Sequence, residues 1–128
     1  MKNIKQYILS ITLSTTILIL CFINTEPLPA SPMNNFDKIV HLLMFLGLSG
    51  TVFFENTAYF KKPISFRRLL FGSFVFPVLF SGAIELMQEY ASPYRMGDWY
   101  DFLFDAIGAF LGLVIGWLIN RKLISLAR

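Results

Sequence analysis

Apolar residues fall into four long runs, Tyr7 to Ile23, Ile39 to Phe54, Leu69 to Met87 and Phe102 to Asn120, separated by short polar breaks. A helix rises 1.5 Å per residue, so about 20 apolar residues cross a hydrocarbon layer of about 30 Å. The pattern therefore predicts an all-α fold, a four-transmembrane-helix bundle. One domain over residues 1–128 is expected, with spans near 7–23, 38–54, 69–88 and 101–120.

The breaks read as turns. Pro27, Pro29 and Pro32 interrupt the chain after the first run, where missing N–H donors and extended neighbours exclude helix. Asn34, Asn35 or Asp37 is placed to cap the second helix, whose far end is expected to fade through Glu55, Asn56 and Tyr59 into Lys61-Lys62-Pro63 at an interface. Pro77, near the middle of the third run, predicts a kink with a freed carbonyl that a neighbouring helix satisfies. Ser92-Pro93 and Met96-Gly97 form a further loop around Arg95, and Arg121 and Lys122 close the fourth run.

The first run carries Ser10, Thr12, Ser14, Thr15 and Thr16, hydroxyls able to bond back to the preceding turn. Lys2 and Lys5 before it, and Leu28-Pro29-Ala30 after it, also resemble a secretory leader and its cleavage site. The apolar core exceeds the usual length of about 7–15 residues, so a retained span is expected. Leu20 before Cys21 is too bulky for lipoprotein processing.

Composition strengthens the membrane reading. Apolar residues make up 55 % and charged residues 15 %, with 14 Phe, against about 45–50 % and about 25 % in ordinary soluble domains. A mean hydropathy of +0.61 agrees. The net charge of +3 does not indicate a nucleic-acid partner, because the basic residues sit at span borders. Lys2, Lys5, Lys61, Lys62, Arg67, Arg68, Arg121, Lys122 and Arg128, nine of the eleven, flank one side of the spans, and only Lys38 and Arg95 flank the other. Positive loops stay inside, so both termini are expected to be cytoplasmic. Cys21 is the only cysteine, which excludes an intramolecular disulfide and a thiolate metal site. Tyr90, Tyr94, Trp99 and Tyr100 would form an outer aromatic belt, with Trp117 near the inner interface.

This topology brings His41, Glu85, Gln88, Asp101 and Asp105 to one membrane face, the extracytoplasmic one. Ionisable groups are costly there and usually meet a partner or line a site. Asp37 and His41 are four apart; Glu85, Gln88 and Glu89 are three and four apart; Asp101, Asp105, Gly108, Gly112 and Gly116 follow at steps of three or four. Such steps share a helix face. Gly108, Gly112 and Gly116 form a small-xxx-small ridge for close helix packing, and an exposed part of it would permit a homo-oligomer.

Asp37-Lys38-x-x-His41, Glu85-x-x-Gln88, Arg95, Asp98 and Asp101, and Asp105-x-x-Gly108-x-x-x-Gly112 together resemble the VanZ-like family of small bacterial membrane proteins. Asp105 stands where the family pattern often carries Asn. The resemblance covers Asp37 to Gly116 and implies a multi-pass protein of the bacterial inner (cytoplasmic) membrane, in a family whose namesake is associated with low-level teicoplanin resistance. It supplies no reaction.

Two classes of reading stay open. In one, the outer cluster acts on or holds a lipid-linked or cell-wall precursor. His41, Glu85 and Asp101 are then the catalytic candidates, His41 as general acid/base, with Lys38 and Arg95 holding an anionic phosphate. Asp37, Gln88, Asp98 and Asp105 join Lys38 and Arg95 as head-group candidates. In the other, the same residues are interhelical glue in a structural or partner-binding module. No cofactor is required by any motif; a divalent metal held by His41 and the carboxylates is a variant. The lipid bilayer is the one partner common to both.

Overall fold

The computed structural model describes residues 4–23, 36–58, 64–93 and 96–127. All four expected spans are present as helices long and apolar enough to cross a membrane. They are α1 (Ile8–Phe22, entered through a 3-10 turn, Ile4–Tyr7), α2 (Phe36–Ala58), α3 (Phe66–Ala91) and α4 (Trp99–Leu126). No strand occurs among the described residues.

Lipid-facing hydroxyls on α1 are satisfied within the helix, as their spacing predicts. Thr12, Thr15 and Thr16 donate to the carbonyls of Ile8, Ile11 and Thr12 at 2.7, 2.9 and 2.9 Å. The inner face of α1 places Ile17 and Cys21 against Phe45, Leu48 and Val52 of α2 and Ile84 of α3.

The closest pair is α2 and α4, and the glycine ridge is the reason. A methyl group on Gly108 would sit on the carbonyl oxygen of Leu42; on Gly112 it would lie 2.6 Å from that of Leu46, and on Gly116 2.7 Å from the Phe53 ring. Only hydrogen fits at such a backbone crossing. α2 of the same chain covers Gly108 and Gly112, which are buried, while Gly116 is half-buried.

The expected break at Pro77 takes the form of a π-helical segment, Phe71–Val75, immediately before the α-helical part Phe76–Ala91. Proline withholds an N–H from the carbonyl four residues earlier, that of Ser73. The Ser49 hydroxyl on α2 lies within hydrogen-bonding distance of that carbonyl, and also 2.7 Å from the Ala109 carbonyl of α4. One buried side chain thus ties three helices at the point where the ladder is broken.

One expectation is corrected in part at the far end of α2. Glu55 and Asn56 are buried, 2 % and 3 % exposed, and α2 continues to Ala58; Tyr59, Lys61, Lys62 and Pro63 of the expected interfacial stop lie outside the described residues. The Glu55 carboxylate accepts the backbone N–H groups of Leu9 and Ser10 at 2.9 and 3.3 Å, and the Ser10 hydroxyl as well. The first turn of any helix leaves N–H groups without intrahelical partners. Here a carboxylate from another helix takes them, which favours burying Glu55 over exposing it. Tyr7 adds a bond to Asn56 Oδ1 at 2.8 Å. At the start of α2, Asp37 lies inside the first turn rather than capping it; Asn34 and Asn35 lie outside the described residues.

Candidate functional site

The other end of the bundle gathers ionisable side chains from three helices. The first turns of α2 supply Lys38 and His41, the last turns of α3 supply Ser81 and Glu85, and α4 begins with Asp98, Asp101 and Asp105. Asp98 is the N-cap of α4, its carboxylate accepting Tyr100 N–H at 2.8 Å. That is the favoured residue type at a helix start, and Asp101 in the first turn adds a second negative group near the positive end of the helix dipole.

Lys38 Nζ lies 3.1 Å from Asp98 Oδ2, 3.3 Å from Asp101 Oδ1 and 3.4 Å from Asp37 Oδ2. His41 Nδ1 is 2.9 Å from Asp105 Oδ1, and its Nε2 is 3.7 Å from Asp101 Oδ2. The second oxygen of Asp105 accepts the Ser81 hydroxyl at 2.5 Å. Glu85 Oε2 accepts Asp98 N–H at 2.7 Å, whereas Glu85 Oε1 is buried with no hydrogen-bond partner. His41, Glu85 and Asp105 are 4 %, 2 % and 1 % exposed, so these groups have left water almost completely. At the rim, burial would raise the Asp98 carboxyl, but the Tyr100 N–H and the Lys38 ammonium outweigh it and hold Asp98 below its ordinary range.

A recess of about 330 Å³ opens beside Glu85, walled by Glu89, Tyr90, Gly97 and Trp99. Glu89 clips the loop above it by accepting Gly97 N–H at 3.1 Å. A larger cavity of about 610 Å³ lies at the opposite end of the bundle, between Tyr7, Ile11, Val52, Phe71 and Phe76. It is mainly apolar and shares none of the cluster's residues, so size alone does not locate the chemistry.

The chain matches the family model described as VanZ/LLP1 over residues 1–120. It belongs to the VanZ/LLP1 family. With four apolar helices of spanning length, it is a multi-pass membrane protein of that family. No curated protein and no solved structure matches it.

Within this VanZ/LLP1 chain, the candidate residues divide. Lys38, His41, Glu85, Asp98, Asp101 and Asp105 converge. Gln88 is buried but donates from Nε2 to the Cys21 carbonyl at 2.7 Å, tying α3 to the end of α1. Asp37 reaches the cluster only through Lys38 and is exposed. Arg95 lies outside the described residues, as does Tyr94. Ser81 was not among the sequence candidates, although it stands four residues before Glu85 on the same face of α3, a spacing that could have found it. His41, Glu85 and Asp105 each place one potential ligand atom within 4.8 Å of the others.

Proposed function

We propose that this VanZ/LLP1 protein works at the extracytoplasmic face of the bacterial cytoplasmic membrane, where its buried cluster engages the polar part of a lipid-linked or cell-wall precursor and lowers sensitivity to teicoplanin. The observation that carries this reading is the convergence of buried ionisable groups from three helices, one of which, Glu85, also lines a recess and has its oxygen Oε1 without a donor among the described residues. Ionisable groups of this kind at membrane depth mark sites by default. Placement at the outer face rests on charge: nine of the eleven basic residues flank the opposite side of the spans. The teicoplanin link rests on family membership.

The geometry alters one part of the expectation. Lys38 is already held by three carboxylates, so a phosphate reaching it would compete with Asp98 and Asp101. The surroundings are acidic and suit a cationic group, or an anion bridged by a cation.

The rival reading, interhelical glue, is favoured by the number of groups that are paired. Polar pairs between membrane helices contribute on the order of 1 kcal/mol each, enough to fix packing. Deletion of the gene and complementation with wild type, Glu85→Gln, His41→Asn and Asp101→Asn separates the two. The site reading expects variants present in the membrane at wild-type abundance that fail to restore glycopeptide tolerance. Loss of abundance in step with function would assign these residues to packing, and full restoration by all three would remove them from both roles.

A further inference from the structure

We propose that the cluster is a divalent metal site with His41 Nδ1, Glu85 Oε1 and Asp105 Oδ1 as its protein ligands. The inference concerns what occupies the cluster and stands apart from the identity of any envelope partner.

Three observations point to a cation. His41 Nδ1 and Asp105 Oδ1 lie 2.9 Å apart, a hydrogen-bond distance that is also close to the roughly 3 Å separating two ligands at right angles on a metal with bonds of about 2.0–2.2 Å. Glu85, from a third helix, brings a carboxylate oxygen within 4.8 Å of both residues' ligand atoms. Its Oε1 is buried and accepts no hydrogen bond among the described residues, although a buried acceptor without a partner is expensive.

The atoms around the three ligands are arranged as an outer shell would be. Asp105 Oδ2 is held by the Ser81 hydroxyl, and Glu85 Oε2 by Asp98 N–H. Each carboxylate is thus fixed by one oxygen; the other oxygen of Asp105 meets His41 Nδ1, and that of Glu85 has no donor among the described residues. When Nδ1 ligates, the second ring nitrogen of His41 carries the proton and faces Asp101 Oδ2 at 3.7 Å, which must shorten by a few tenths of an ångström to hydrogen-bond as a carboxylate–histidine–metal arrangement requires. Lys38 is the one cation nearby among the described residues, and the Asp101 carboxylate stands between it and the imidazole. Glu85, Asp98, Asp101 and Asp105 bring four formal negative charges against the single positive charge of Lys38. A divalent ion reduces that excess in a place where water cannot.

The donor set narrows the metal. One imidazole with two carboxylates suits Zn²⁺ or Mn²⁺; Ca²⁺ asks for more oxygens, and soft ions ask for sulfur.

The test uses the full chain in detergent micelles or nanodiscs, stripped with chelator and titrated with Mn²⁺, followed by electron paramagnetic resonance and Zn²⁺ competition. The expected result is one Mn²⁺ per chain, with nitrogen hyperfine coupling, displaced by Zn²⁺. Glu85→Gln and Asp105→Asn should abolish stoichiometric binding, and Asp101→Asn or Ser81→Ala should weaken it by about 10–100-fold. Circular dichroism and size-exclusion profiles establish that each variant is folded. Should a variant fail to fold, the nitrogen coupling of the wild type decides alone. No stoichiometric binding to folded wild type, no nitrogen coupling, or binding unchanged in folded Glu85→Gln overturns the metal site. Any of these leaves the envelope reading to be judged by glycopeptide tolerance, which is measured separately.

Discussion

Asp105 on α4 holds His41 on α2, with Oδ1 2.9 Å from Nδ1, while its other oxygen takes the Ser81 hydroxyl of α3 at 2.5 Å. A single carboxylate therefore joins three helices in a place with almost no water. Groups in direct contact do not contribute independently, and their coupling is typically about 0.5–3 kcal/mol. A double-mutant cycle on His41→Asn and Asp105→Asn, read by thermal unfolding in detergent, should show coupling in that range. Additive effects would mean that the pair does not form in the folded protein. Ser81→Ala alone should cost about 1–3 kcal/mol by leaving Asp105 Oδ2 without its donor.

At the rim of the same cluster, Asp98 supplies a pH dependence. Its carboxyl is held below the ordinary range because the Tyr100 N–H and Lys38 favour the charged form more than burial opposes it. A group depressed on folding stabilises the native state above its unfolded pKa, and that contribution is lost as pH falls through the folded value. Stability should therefore decline through the acid range below the usual carboxylate pKa. Asp98→Asn should flatten that part of the profile while leaving the slope near neutrality alone. An unchanged acid limb in thermal unfolding scans would show that Asp98 carries none of it.

The glycines of the chain give a paired prediction. A methyl group at Gly108 would meet the Leu42 carbonyl oxygen, backbone that cannot turn aside, whereas a methyl group at Gly47 meets nothing within 4 Å. Gly108→Ala must push α2 and α4 apart, at an overpacking cost of typically 1–3 kcal/mol. Gly47→Ala should be neutral or slightly stabilising, since alanine is the better helix former by about 1 kcal/mol. Thermal unfolding of the two variants side by side checks this. Equal behaviour would mean that the helices do not cross at Gly108.

These contrasts show what the sequence made legible. The four spans, the glycine ridge and the gathering of His41, Glu85, Asp101 and Asp105 at one end follow from run length, helical steps of three and four, and alternating helix direction. Those are local quantities. The partner of each group was not legible, because it depends on how neighbouring helices rotate about their axes. Thus Gln88 shares a face of α3 with Glu85, yet it bonds the end of α1. Glu55 was misread for the same reason: a carboxylate beside Asn56 near a basic loop looks like a solvated helix end until another helix presents its first N–H groups to it.

That misreading leads to the last prediction. Glu55 Oε1 accepts Leu9 N–H at 2.9 Å and Ser10 N–H at 3.3 Å, doing from α2 what an N-cap side chain normally does from within its own helix. Removing a cap costs about 0.5–2 kcal/mol in soluble proteins. Glu55→Gln keeps an acceptor oxygen and the side chain's size, so it should retain most of the contact. Glu55→Ala strips both and leaves the Leu9 and Ser10 N–H groups at the start of α1 without this acceptor. The loss should be local, because α1 packs on the bundle through Ile17 and Cys21 nearer its other end. Hydrogen exchange read by mass spectrometry should then show faster exchange across Ile4–Leu13 in Glu55→Ala, with the α2–α4 crossing unchanged and Glu55→Gln close to wild type. If exchange rises equally in all four helices, Glu55 holds the bundle as a whole. If it rises nowhere, Leu9 and Ser10 find other partners and the carboxylate is not their cap.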